Sequence, residues 1–204
     1  HNRSPSAART GAELPEQSTA RTAAENVVGD RAPSGPESAA AVPERFTVEE
    51  TFDGASFVCR AERRRQGNGW TVYQLTFPSP VRTPIESNNT IVADYFVPVA
   101  RGPAAAARPA VVCLHILNGN FELEEMVCVM LASRGIAAIL PKLPYYGQRA
   151  GAEGRRLLQQ RPELLPEALH QGLLDVRRTI DVLQSRPEVD RRHVGVVGIS
   201  MGGI

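Results

Sequence analysis

The sequence predicts an α/β domain in which a mostly parallel sheet carries helices on both faces and an antiparallel strand pair at its N-terminal edge. Three observations support this. Two segments alternate apolar and polar side chains, three later runs are solidly apolar, and helical periodicity fills the gaps between those runs. Trp70-Thr71-Val72-Tyr73-Gln74-Leu75-Thr76-Phe77 alternates and stops at Pro78-Ser79-Pro80, so it reads as a half-exposed strand. Thr90 to Pro98, bounded by Asn88-Asn89 and by Pro98 itself, is its antiparallel partner at a sheet edge. Pro109 to Ile116 is a strand buried on both faces. Leu123, Met126, Val127, Met130 and Leu131 then mark one face of a helix, which ends at Arg134-Gly135 with glycine in the capping place. Ile136 to Pro141 is the next buried strand, and Leu169, Leu173, Val176, Ile180 and Leu183 mark a long helix that stops before Pro187. His193-Val194-Gly195-Val196-Val197-Gly198-Ile199 is the last strand. Strand, helix, strand, helix, strand with continuous apolar strands means parallel pairing with covered faces.

The chain has 204 residues, 42% hydrophobic and 22% charged, enough for one domain with a core but tight for two. Residues 1–45 contain no aromatic side chain, and only Leu14, Val27, Val28 and Val42 offer large apolar surface. Such a segment cannot offset its ordering entropy, so 1–45 is expected to be a disordered Ala/Pro/Ser-rich tail and 46–204 the domain. A net charge of +1 gives no basic surplus for nucleic acid. No apolar run approaches the length of a membrane span. Cys59, Cys113 and Cys128 lack paired metal or redox spacing and read as small buried hydrophobes. The chain begins at His1, and no signal-peptide core is visible, so localisation is left open. Oligomeric state is equally open.

The last strand runs into Gly198-Ile199-Ser200-Met201-Gly202, a G-x-S-x-G match in the strand-to-helix context that gives this motif its chemistry. A nucleophilic serine has to project from a sharp corner, and the residues two before and two after it must be small enough for the chain to pass. Gly198 and Gly202 meet that need. The backbone N–H of Met201 would then be one donor to the oxyanion of a tetrahedral intermediate.

From about Thr71 onward the chain resembles an α/β-hydrolase, in particular the esterase, dienelactone-hydrolase-like and acetyl-xylan-esterase-like branch. The resemblance rests on the strand pair, the turn led by His115, the Pro141-Lys142-Leu143-Pro144-Tyr145-Tyr146-Gly147 segment, the Arg186-Pro187-Glu188-Val189-Asp190 lead-in and the elbow. It implies a serine hydrolase, most of all one acting on carboxylic esters, with Ser200 as nucleophile, a small-molecule ester as substrate and no metal or organic cofactor. It also implies that a second oxyanion donor comes from the turn after the third of these strands, at Ile116 or Leu117. Many members carry His-Gly there, where this chain has His115-Ile116, and a β-branched residue restricts how closely backbone approaches an oxyanion. By the same analogy His115, Tyr145 and Tyr146 are candidates to line a pocket beside the elbow.

In this family the triad acid and histidine follow the nucleophile, whereas the sequence ends at Ile204, so the chain is expected to be the N-terminal part of a hydrolase domain, cut after its fifth core strand. Loss of a triad histidine costs about a millionfold in turnover, and the piece alone is expected to be inactive. Its last strand should then present an open edge and exposed apolar surface. His115 is expected to serve packing or a loop hydrogen bond, His170 to face solvent and His193 to open the last strand. Asp175, Asp181 and Asp190 are assigned to helix surface and turn, and Arg63-Arg64-Arg65 to a solvated loop. Two other functions fit the same residues: a prolyl-oligopeptidase-type peptidase, which would need a repeat region that residues 1–45 are too short to form, and a non-catalytic binding protein that keeps the fold.

Overall fold

The computed structural model describes residues 41–99, 106–116, 120–151, 156–198 and 203. The proposed tail lies outside the described residues up to position 40. Past that point Val42 is buried in the core, and the Glu44 carbonyl accepts the Ala61 N–H at 2.8 Å.

Seven strands form one sheet: β1 (Arg45–Val48), β2 (Phe57–Gly67), β3 (Trp70–Pro78), β4 (Thr90–Pro98), β5 (Arg108–Leu114), β6 (Ala137–Pro141) and β7 (Val189–Gly198). Their order is β1-β2-β3-β4-β6-β5-β7. Pairings from β1 through β4 and on to β6 are antiparallel, and β5 pairs in parallel with β6 and β7. Among the described residues three α-helices accompany them, α1 (Glu122–Ser133), the short α2 (Arg156–Gln160) and α3 (Leu165–Gln184).

The α/β class and the β3–β4 pairing agree with the sequence, but the sheet is mixed instead of mostly parallel, and β3 and β4 are interior strands. The edge on that side is β1, reached through β2. The arginine run at 63–65 belongs to β2, not to a loop. Phe57, Cys59 and Ala61 alternate inward along β2 until a bulge between Arg63 and Arg65 shifts the register. Beyond it the arginines pair with neighbours: Arg64 with Glu62 at 2.9 Å and Arg65 with Glu125 at 2.7 Å. β3 is largely buried, not half-exposed, because both of its faces are packed, Tyr73, Leu75 and Phe77 in one core and Val72 in the other. The β2–β3 hairpin turns at Asn68-Gly69, with Gly69 at φ 89°, and the Trp70 ring lies directly over Gly67.

The period-two alternation of the strands sends side chains to two cores. Tyr73, Leu75, Ala93, Tyr95, Ala110, Val112 and Ile139 pack on the face that receives Val182 and Leu183 of α3. Val72, Phe96, Cys113, Ala138 and Leu140 pack on the opposite face against Cys128 and Ala132 of α1. Helices therefore cover both faces, as expected, and all three cysteines are buried free thiols.

Both helices are rotated from the orientation their apolar stripes suggest. On α1 the sheet-facing row is Glu124, Cys128 and Ala132, while Leu123, Met126 and Met130 are 42%, 62% and 45% exposed. Small side chains at 128 and 132 let the helix sit close to the sheet. On α3 Leu183 is buried, but Leu169 and Leu173 face an apolar groove of about 890 Å³ that also meets Val196 and Val197 of β7. β7 is the outermost strand among the described residues on its side, and Val196 and Val197 are 51% and 42% exposed, in keeping with the open edge and exposed apolar surface expected of the last strand.

Candidate active site

Strand register places two strand ends side by side. Leu114 of β5 pairs with Gly198 of β7, so the carboxyl ends of these parallel strands are neighbours about 4.8 Å apart. The helices that follow β5 and β6 lie on opposite faces, and the strand order reverses at β5. Open α/β sheets bind ligands outside the carboxyl ends of their strands at such a reversal.

Ser200, Met201, Gly202 and Leu117 lie outside the described residues. Gly198 ends β7 and Gly203 is described, and the two come together: a Cβ added at Gly203 would sit 3.3 Å from the Gly198 carbonyl oxygen. The chain thus leaves β7 at Gly198 and is back against it five residues later. Sequence reasoning placed the small-residue requirement at 198 and 202 and passed over Gly203, for which the Gly202-Gly203 doublet was the available signal.

His115 is fully buried at the head of the β5–α1 turn. Its Nε2 accepts the Leu143 N–H at 3.0 Å, which leaves Nδ1 as the protonated nitrogen, and Nδ1–H donates to the Ile116 carbonyl at 3.0 Å. Burial holds its pKa below the usual histidine value. A neutral imidazole with both nitrogens engaged is a clamp between the turns after β5 and β6, in keeping with the loop hydrogen bond expected of it. Its ring meets Phe121 edge-on at 4.9 Å and Tyr146 at 4.7 Å.

The N–H of Ile116 donates to Glu124 Oε1 at 2.8 Å. Glu124 is buried in the first turn of α1, where the amide ends of the helix favour a carboxylate. Hydrophobic periodicity hides this residue, because it shares a row with Cys128 and Ala132. Nearby, Lys142, the only lysine in the chain, is buried with Nζ 2.8 Å from Asp94 Oδ2 and 4.0 Å from the centre of the Phe121 ring.

The two tyrosines part company. Tyr146 borders the groove that also touches Leu114, Gly198 and Gly203. Tyr145, at φ 69°, turns into a separate cavity of about 910 Å³ with Ile85, Leu157 and Leu164, its N–H held by Asn88 Oδ1 at 3.1 Å. Of the three pocket candidates, the structure brings His115 and Tyr146 together.

Under this loop lies a buried polar lattice that the sequence did not show. Arg149 is fully buried, 2.8 Å from Asp175 Oδ2, and donates to the carbonyls of Lys142 at 2.9 Å and Asn88 at 2.7 Å. Ser79 Oγ donates to Asp175 at 2.6 Å, and Gln171 donates to Ser79 at 3.1 Å. Asp175 is therefore an interior residue instead of a helix-surface one. Asp181, also buried, accepts the Phe52 N–H at 3.1 Å. Asp190 does stay at the surface, paired with the exposed His193 at 2.7 Å, at the opposite end of β7 from Gly198. His170 is exposed on α3 as expected. Among the described residues no cluster of histidine, cysteine and acidic side chains is disposed to hold a metal ion, and no helix is long and apolar enough to cross a membrane.

Residues 96–204 match the model of the dienelactone hydrolase family. No curated protein sequence matches the chain. Among solved structures, the acetyl xylan esterase from Paenibacillus sp. R4 superposes with a TM-score of 0.53 at 23% identity, covering 71% of this chain and 46% of that one. Acetyl xylan esterase 1 from Thermoanaerobacterium sp. JW/SL YS485 gives 0.47 at 21% identity, covering 71% and 45%. The chain thus spans about half the length of these solved structures. With more than half of its residues matched to the family model, the chain belongs to the dienelactone hydrolase family.

Proposed function

We propose that the protein is a serine hydrolase of carboxylic esters with Ser200 as its nucleophile. The observation that carries this is the return of Gly203 onto Gly198 at the carboxyl end of β7, beside the end of β5. A G-x-S-x-G sequence at the end of that strand has the small residues that a nucleophilic serine at a strand-to-helix corner requires. In the first half-reaction Ser200 Oγ attacks the ester carbonyl while its proton passes to a histidine, held by a carboxylate. The C–O bond to the alcohol then breaks, the alcohol leaves with that proton, and water hydrolyses the acyl-enzyme. The N–H groups of Met201 and of Leu117 hold the oxyanion.

The histidine is none of those described. His115 is engaged on both nitrogens, His193 sits at the far end of β7, and His170 is exposed beside the separate cavity. In the family's chain order the acid and the histidine follow the nucleophile. The substrate is a small carboxylic ester, a reading that the likeness to an acetyl xylan esterase supports, and the residues at the site supply the chemistry without a metal or organic cofactor.

The test uses the full-length protein and p-nitrophenyl acetate. Wild type should hydrolyse the ester and take a fluorophosphonate label, and Ser200→Ala should lose both. Equal hydrolysis by the alanine variant would overturn the assignment, and absence of label from the wild type would favour a binding protein that keeps the fold.

A further inference from the structure

We propose that the cavity of about 910 Å³ between the β3–β4 connection, the loop after β6 and the start of α3 binds a small apolar carboxylate, with Tyr145, Arg161 and Arg82 holding its acid group. This site is separate from the groove that reaches Gly198, and its occupation does not depend on the hydrolase assignment above. Tyr145 adopts φ 69°, a backbone region that is costly for a residue with a side chain and persists only where the surroundings hold it. Buried groups do hold it. Asn88 Oδ1 accepts the Tyr145 N–H at 3.1 Å, and the Asn88 amide donates in turn to Gln171 Oε1 at 2.7 Å. The ring packs with Leu157 and Ala168, a task that phenylalanine would do as well, yet the side chain carries a hydroxyl with no hydrogen-bond partner among the described residues. Burial pushes the pKa of that hydroxyl up, so it keeps its proton and remains a donor.

Charge at the lining favours an anion. Arg161 and Glu167 act on the Tyr145 hydroxyl through space in opposite directions, so both stand within its electrostatic reach. Arg161 commits only Nε, to Glu163 at 3.0 Å, and its terminal nitrogens make no bond among the described residues. Arg82 borders the same cavity and pairs with no carboxylate among the described residues. Two arginines against Glu167 leave one positive charge, which suits a monoanion and disfavours a dianion or a cation. A carboxylate can accept from guanidinium and phenol donors together. Pro84, Ile85, Leu157 and Leu164 supply the apolar wall that calls for an apolar body on the acid. One side of that wall is fixed in advance, because the Thr83 N–H donates to Asn89 Oδ1 at 2.7 Å, which lowers the ordering cost of binding.

The test is calorimetric titration of the full-length protein at neutral pH with 4-phenylbutanoate, and with its neutral amide, 4-phenylbutanamide, as the control. Wild type should bind the acid at least about tenfold more tightly than the amide, the scale of a charge-assisted hydrogen bond. Arg161→Gln should weaken the acid about tenfold and leave the amide nearly unchanged, and Tyr145→Phe, which keeps the packing ring, should weaken the acid about fivefold. Methyl resonances of Ile85 and Leu164 should shift on binding while those of Val196 and Val197, in the other groove, stay. Ser200→Ala should bind the acid as wild type does, whether or not that variant has lost ester hydrolysis. No binding at millimolar acid, equal affinity for acid and amide, wild-type affinity in Arg161→Gln or Tyr145→Phe, or shifts at Val196 and Val197 would each overturn the proposal. Loss of binding in Ser200→Ala would also overturn it, by moving the ligand to the nucleophile.

Discussion

Arg149→Met removes the cation at the centre of the lattice beneath the β6 loop, and its cost follows from the contacts. The guanidinium is fully buried, faces an Asp175 side chain that is 2% exposed, and supplies the donors for two buried carbonyls. Deleting one member of such a pair strands the other charge, at a cost of about 3–5 kcal/mol, and loss of the bond to the Lys142 carbonyl puts this case at the upper end, whereas the Asn88 carbonyl keeps Gln171 as a donor. For a domain of this size a loss near 5 kcal/mol lowers Tm by about 10–20 °C, readable by circular dichroism. The effect should also depend on pH. Burial raises the Asp175 carboxyl above its ordinary value of 3.8, and Arg149 opposes the rise. Without Arg149 the folded state binds a proton that the unfolded state releases. Stability of the variant therefore falls as pH climbs from 3.8 through the raised pKa, and the gap to wild type widens over that range. Adding Asp175→Leu to Arg149→Met should recover stability, because no buried charge then remains. A Tm loss of only a degree or two, a gap that ignores pH, or a double variant less stable than the single one would refute this account of the lattice.

Three further outcomes follow from the same contacts. Because burial lowers the His115 pKa below 6.5, the unfolded state binds the extra proton as pH falls, so wild type should lose stability below 6.5. His115→Phe should flatten that dependence in thermal melts while costing about 1–3 kcal/mol for the orphaned Leu143 N–H, and an unchanged pH dependence would show the histidine is not neutral in the fold. In Gly203→Ala the new Cβ would lie 3.3 Å from the Gly198 carbonyl oxygen and push the corner by a few tenths of an ångström. A shift of that size should lower kcat of the full-length enzyme about tenfold, and a wild-type rate would mean the corner is looser than described. In Gly67→Ala the new Cβ would fall 2.3 Å from the Trp70 ring and displace it from its place over the hairpin. Trp70 is the only tryptophan, so its emission should shift to the red, with about 1–3 kcal/mol of destabilisation. Unchanged emission would refute the overlap.

Much of the architecture was legible because strand and helix periods are written in adjacent residues. Ala110 to Leu114 and Ala137 to Leu140 are runs without polar interruption, and they became the two-faced parallel strands. The capping glycine at 135 adopts φ 84° and ends α1 where expected. Helix rotation was not legible. An apolar stripe shows which side chains avoid water, but the stripes of α1 and α3 face partly outward, since Cys128 and Ala132 on one helix and Gly172 and Asp175 on the other allow closer approach to the sheet and the loops. β2 is hidden in the sequence because its second half carries arginines, two of which find partners, Gln74 and Glu125, ten and sixty residues away in the chain.

The sequence by itself determined the α/β class, the strand that leads to Ser200 and the glycines around it, because each depends on neighbours in the chain. It did not determine the roles of Glu124, Arg149 and Asp175, whose meaning comes from partners 8, 7 and 96 positions away. Nor could it divide Tyr145 from Tyr146, adjacent residues sent into different cavities by one left-handed φ. Tertiary structure decided these because a buried polar group is stable only where a partner meets it, and which groups meet is set by how the sheet and helices pack.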